Sequence, residues 1–196
     1  MLLNVLEYAL EALLTSTLLV TLAEIGDKTQ LLSFVLAARL RKPWPIIAGI
    51  FAATIVNHAL AGSFGVWLST LIPPHWLPWI IGAIFIAFGF WTLIPDKLDD
   101  DDTPKDSHMG AFVTTTIAFF LAEMGDKTQL ATVALGARYE EAIVSVVFGT
   151  TLGMMVANVP AVLIGQKLAD KLPLNIIRKI AATLFVLTGI ATIVWG

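Results

Sequence analysis

The sequence predicts an all-α integral membrane protein with six transmembrane helices, arranged as two inverted three-helix repeats. Three observations lead there: a composition too apolar for a water-exposed globule, six apolar segments of membrane-crossing length, and a motif that occurs twice. Of the 196 residues, 57% are hydrophobic and only 14% charged, with a mean hydropathy of +0.83. Soluble domains carry about 25% charged residues, so this chain lacks the polar surface to cover itself in water. That composition disfavours disorder, a coiled coil and a cytosolic enzyme. A net charge of −3 leaves no basic surface for nucleic acid. The absence of cysteine removes disulfides, thiolate metal sites and cysteine nucleophiles.

A membrane-spanning helix needs about 20 mostly apolar residues. Six stretches qualify: 12–37, 46–69, 77–95, 110–137, 142–165 and 175–195. Turn chemistry separates them, with Arg41-Lys42-Pro43 after the first, Pro73-Pro74 after the second and Lys171-Leu172-Pro173 before the sixth. The long polar gap contains Asp99 to Asp102 and reads as a solvated linker, because like charges repel and stay hydrated. The expected organisation is therefore a first three-helix repeat over 1–98, an acidic cytoplasmic linker over 99–109 and a second, inverted repeat over 110–196. Glu7 and Glu11 precede the first span, where a cleavable signal would carry a basic start. Nine loop Lys and Arg residues fall on one predicted side and only Arg138 on the other. By the positive-inside rule both termini face away from the cytoplasm. Trp44, Trp67, Trp76, Trp79, Trp91 and Trp195 lie near span ends, where interfacial anchors belong.

The duplication is direct. Leu22-Ala23-Glu24-Ile25-Gly26-Asp27-Lys28-Thr29-Gln30-Leu31 recurs as Leu121-Ala122-Glu123-Met124-Gly125-Asp126-Lys127-Thr128-Gln129-Leu130, identical at nine of ten positions. Gly49, Val56, Ala61 and Gly65 likewise face Gly149, Val156, Ala161 and Gly165 at an offset of 100. Three spans per copy is an odd number, so the second copy enters the membrane from the opposite side. Many secondary transporters use this construction to place a site at the midplane. Glu24 and Glu123 then sit at similar depth, approached from opposite faces.

Each motif places Glu, Asp and Lys at i, i+3 and i+4, one face of a continuous helix. A charged side chain at the bilayer centre costs at least about 2.5–3.5 kcal/mol, so six of them must meet each other or water. One arrangement is a pair of fastening ion pairs, Glu24–Lys28 and Glu123–Lys127, but it leaves both aspartates over. The other is a cation site. Glu24, Asp27, Glu123 and Asp126 with Lys28 and Lys127 leave a net charge of −2, which one divalent ion or two protons neutralise. Carboxylates are hard oxygen donors suited to Ca²⁺, Mg²⁺ or Mn²⁺. The glycines either interrupt the helices or allow close packing. If they interrupt, Asp27 to Gln30 and Asp126 to Gln129 read as capping boxes, and freed carbonyls join the ligands. Lys28, Thr29, Gln30, Lys127, Thr128 and Gln129 supply support around the acids. Asn57, His58 and Asn158 are further polar groups at similar depth, as ligands, a proton carrier or interhelical hydrogen bonds. Met124, Met154 and Met155 offer sulfur but read as core.

Two copies of Glu-x-Gly-Asp-Lys-Thr in six spans resemble the Golgi-type Mn²⁺/Ca²⁺:H⁺ antiporter family, across almost the whole chain. The resemblance implies a cation exchanger whose metal ligands are Glu24, Asp27, Glu123 and Asp126. No cofactor is expected to be permanently bound; the partners are the transported divalent cation, protons and membrane lipid. The short chain resembles the bacterial members associated with manganese export, which implies a bacterial cytoplasmic membrane and Mn²⁺ as cargo. A Ca²⁺:H⁺ antiporter is the alternative, then a passive divalent channel; an intramembrane hydrolase fits poorly with lysines beside both acid pairs.

Overall fold

The computed structural model describes residues 2–95, 110–164 and 173–195. Among these the chain forms α-helices joined by turns: α1 (Leu2–Glu24), α2 (Lys28–Leu40), α3 (Pro43–Leu71), α4 (Leu77–Thr92), α5 (Ala111–Glu123), α6 (Lys127–Arg138), α7 (Ile143–Ile164) and α8 (Leu174–Trp195). Prolines open α3 and α4, where a missing N–H costs nothing and the fixed φ suits the first turn. A short 3₁₀ turn, Glu140–Ala142, leads into α7.

α1, α3, the segment Glu140–Ile164 and α8 are long and apolar enough to cross a membrane; α4 and α5 are shorter apolar helices. The chain is a multi-pass membrane protein, and its surface shows why. Leu6, Leu10, Leu14 and Leu18 form an exposed stripe along α1, and Phe51, Leu60, Phe64, Phe148 and Leu152 face outward from α3 and α7. Glu24, Thr29, Gln30, Ser33, Asn57, His58, Glu123, Thr128 and Asn158 are buried. A surface that meets hydrocarbon inverts the usual distribution: apolar side chains cost nothing outside, while every polar group must find a partner inside.

One expectation changes and one alternative is resolved. The first helix begins at Leu2, well before residue 12, because residues 2–11 contain no helix breaker, and Glu7 and Glu11 point outward on that turn. The spans read over 12–37 and 110–137, for which the sequence left both an interrupted and a continuous helix open, are each two helices, α1 with α2 and α5 with α6, divided at the motif glycines. The acidic stretch over 99–109 lies outside the described residues.

The packing interleaves the two halves. α1 and α2 lie along α7, α5 and α6 lie along α3, and α4 pairs with α8. Corresponding glycines make corresponding approaches. A Cβ at Gly49 would stand 2.8 Å from the Phe112 carbonyl oxygen, and one at Gly149 would stand 2.6 Å from that of Leu13. Either is too close for a side chain, so the helices meet backbone to backbone, as small residues permit in membranes. Between α4 and α8, Phe85 and Phe185 stack fully buried, with ring centroids 6.3 Å apart.

One end of the molecule is tied by polar contacts. Tyr8 donates to the Arg138 carbonyl at 3.1 Å, Tyr139 donates to Glu11 at 2.9 Å, and Arg138 donates to Thr192. The start of α1, the 138–141 turn and the end of α8 therefore gather together. Trp44, Trp76, Trp79 and Trp195 are exposed near helix termini, as membrane-interface anchors are.

Candidate metal centre

The two motifs break their helices in the same way. Gly26 and Gly125 adopt φ of +86° and +76°, a left-handed conformation that costs other residues about 1–2 kcal/mol. The Asp27 N–H donates to the Glu24 carbonyl at 3.0 Å, and the Asp126 N–H to that of Glu123 at 3.1 Å. Each glutamine then reaches back. Gly26 N–H donates to Gln30 Oε1 at 2.9 Å, and Gly125 N–H donates to Gln129 Oε1 at 2.7 Å. This resembles one half of a capping box, displaced by one residue, since the bonded N–H belongs to the glycine before the N-cap aspartate. The other half is absent, since Asp27 and Asp126 occupy the N-cap positions without a side-chain cap hydrogen bond. Their carboxylates turn towards the middle of the protein instead.

There Glu24, Asp27 and Asp126 come together. All three are buried, and each offers an oxygen within 4.8 Å of the others. The donors come from both halves of the chain, because Asp126 lies about a hundred residues beyond the other two. Glu24 is oriented by two hydroxyls: Thr29 donates to one oxygen at 2.5 Å, and Thr128 of the second motif donates to the other. Lys28 Nζ stands 3.5 Å from Asp126 Oδ1, a second link across the halves.

The fastening ion pairs that stood as the alternative to a cation site, Glu24–Lys28 and Glu123–Lys127, do not form among the described residues. The break is the reason: each glutamate ends one helix and each lysine begins the next, so the i, i+4 geometry of a continuous helix no longer applies. Lys127 instead donates to the Ile94 carbonyl at 3.0 Å and lies over the Trp91 ring. Glu123 stands apart from the three gathered acids and faces His58, with Oε2 3.6 Å from the ring Nε2.

The remaining candidates act as fasteners. Gln30 Nε2 donates to the Ala157 carbonyl at 2.9 Å, which moors the first break to α7. Asn158 accepts from Ser33 at 2.7 Å and donates to the Met154 carbonyl and sulfur at 3.0 and 2.9 Å. Asn57 donates to the Phe120 carbonyl on α5 at 3.1 Å. Both asparagines thus make interhelical or back-bonding contacts, and Met154 sulfur is engaged by Asn158. Ser33 was not singled out in the sequence, although it aligns with Thr132 as a polar residue in an apolar half-helix. A narrow cleft beside Asp27, lined by Gly26, Thr92, Lys127 and Arg178, was also not legible, since Thr92 and Arg178 come from distant spans.

Buried oxygen donors from two halves, with lysines beside them, suit reversible capture of a small cation. A sequence model described as "Divalent cation/proton antiporter GDT1" matches residues 12–100 and 111–196. The chain belongs to the GDT1 family. It is 54% identical over 186 residues to a Vibrio cholerae serotype O1 protein named "Putative manganese exporter", covering 95% of this chain and 92% of that one. It is 30% identical to "GDT1-like protein 5" of Arabidopsis thaliana, covering 88% and 90%. A GDT1-like protein of Synechocystis is 28% identical, covering 93% and 97%. No solved structure matches the chain. Membership in GDT1 makes this a cation transporter and not an enzyme.

Proposed function

We propose that this GDT1 chain exports Mn²⁺ from the bacterial cytoplasm in exchange for protons. The observation that carries the reading is the buried triad of Glu24, Asp27 and Asp126, assembled from both halves. Manganese as cargo is favoured by the name of the Vibrio relative and by the oxygen-rich, cysteine-free donor set. An ion held by acids from both halves neutralises them and draws the halves together. When it leaves, the carboxylates repel one another, and protons are the remaining neutralising charge. Alternating occupancy of one site by metal and protons is antiport. Glu24, Asp27, Glu123 and Asp126 are the metal and proton ligands on this reading; Thr29 and Thr128 orient Glu24, and Lys28 and Lys127 adjust the charge.

The six spans work as two inverted three-span repeats, 1–98 and 110–196, joined by a cytoplasmic linker. The matched turns at Gly26 and Gly125, the paired approaches of Gly49 and Gly149, and the Phe85–Phe185 contact support this arrangement. Both termini face away from the cytoplasm, a placement supported by the charge count and by the meeting of Glu11, Arg138 and Thr192 at one end. Proteoliposomes holding the purified chain, under an imposed pH gradient, test the function directly. Uphill Mn²⁺ flux that stops when the gradient is collapsed is expected. Downhill flux insensitive to pH would make it a channel, and preference for Ca²⁺ over Mn²⁺ would make calcium the cargo.

A further inference from the structure

His58 and Glu123 are fully buried, and neither the two ring nitrogens nor the two carboxylate oxygens has a hydrogen-bond partner. Buried polar groups are nearly always bonded, and four such atoms on two neighbouring side chains, with Nε2 and Oε2 facing one another, call for a common explanation. Their separation of 3.6 Å exceeds the 2.7–3.2 Å of an ordinary N–H···O bond. It suits two donors that share an ion: metal–ligand bonds of about 2.1 Å meeting at roughly 90–120° hold their donors about 3.0–3.6 Å apart. The pair is also tied to the triad through the chain, since Glu123 ends the helix before the turn whose Asp126 joins Glu24 and Asp27.

The two halves differ at this point. At the offset of 100 that aligns Gly49 with Gly149, His58 falls on Asn158. The Asn158 amide is committed to Ser33 and Met154, whereas the His58 ring has both nitrogens unbonded. One half thus holds a closed hydrogen-bond network where the other presents an open nitrogen donor.

We propose that His58 is a direct nitrogen ligand of the transported cation, acting with Glu123, and that it sets the preference for Mn²⁺ over Ca²⁺. The proposal rests on the cation-transport reading above. Ca²⁺ takes six to eight oxygen ligands and gains little from an imidazole. Transition-metal ions accept imidazole together with carboxylates. A site of carboxylates alone ranks these ions weakly; a site that includes a fixed ring nitrogen discriminates.

Pulsed electron paramagnetic resonance on Mn²⁺ bound to the full chain in nanodiscs tests the contact. A nitrogen hyperfine coupling is expected in the wild type, lost in His58→Asn and retained in His75→Asn. In proteoliposomes, His58→Asn should lower the ratio of Mn²⁺ to Ca²⁺ flux by about tenfold, the equivalent of about 1.4 kcal/mol. Bound Mn²⁺ without nitrogen coupling in the wild type overturns the proposal, whether or not the variant folds. A coupling that persists in His58→Asn, or an unchanged flux ratio, overturns it as well. A wild type that neither binds nor moves Mn²⁺ is a different result and sinks the manganese-export reading itself.

Discussion

Replacing Lys28 by methionine should tighten manganese binding and slow transport. Lys28 Nζ lies 3.5 Å from Asp126 Oδ1, on the oxygen atom set that an incoming cation needs. Methionine keeps the length and apolar stem of the side chain and removes the charge. Two effects then act in the same direction. The empty site loses the cation that stabilises Asp126, and the filled site loses a like charge beside the metal. At an effective dielectric of about 20, unit charges at this separation interact by roughly 5 kcal/mol. The lysine side chain is 21% exposed, so solvent screening and the freedom of the lysine to swing aside reduce this to about 1–3 kcal/mol. That corresponds to a Kd for Mn²⁺ lower by about 5- to 150-fold. Isothermal titration of the purified protein reads the affinity, and saturating flux in proteoliposomes reads the turnover, which should fall because release becomes harder. A Kd that is unchanged or weaker would mean that Lys28 does not compete with the ion for Asp126, and the charge accounting of the site would be wrong.

Glu24→Gln, Asp27→Asn, Glu123→Gln and Asp126→Asn should each abolish or severely impair flux while leaving membrane insertion intact; near wild-type flux in all four would return the acids to a fastening role. Thr128→Val removes the hydroxyl that the second half donates to Glu24, a loss of about 1–3 kcal/mol in positioning that carboxylate. Mn²⁺ affinity should fall accordingly, and equal binding by variant and wild type would count against a Glu24 held from both halves. Cysteines placed at Thr103 and Glu140 in this cysteine-free chain should label from opposite sides of the membrane, and labelling from one side would remove the inverted repeat. Gly125→Ala should destabilise the protein by about 1–2 kcal/mol in thermal unfolding, through backbone conformation, since no described residue lies within 4 Å of its added Cβ. A neutral result there would argue against the left-handed turn.

The membrane class and the two motifs were legible because apolar length and exact recurrence are properties of the chain alone. Glycine, aspartate and glutamine in series also signalled a possible break, and the returned hydrogen bonds of Gln30 and Gln129 match that signal. Partner choice across the break was not legible. The alternative in which Lys28 pairs with Glu24 needs a continuous helix; a left-handed glycine between them turns the lysine towards Asp126. The separation of Glu123 from the other three acids was hidden for a related reason. Two identical motifs suggest four equivalent carboxylates, but the neighbours they meet, His58 on one side and Thr128 on the other, come from segments whose placement depends on tertiary packing.

The two motif turns are chemically alike but differently roofed. A Cβ on Gly26 would stand 3.0 Å from a Leu174 methyl and 3.6 Å from an Arg178 nitrogen, whereas Gly125 is exposed and no described residue would lie within 4 Å of a Cβ there. On a route along the first turn a cation meets the Arg178 guanidinium, which repels it, whereas at the Gly125 turn no described residue lies within 4 Å of the corresponding position. This difference cannot choose the direction of net flow, because microscopic reversibility assigns that to the ion gradients alone. It governs kinetics instead. The two faces of the carrier should show unequal half-saturation concentrations for the same metal, with the weaker apparent affinity at the doorway guarded by Arg178, and a carrier that runs both ways would still reach one and the same final gradient.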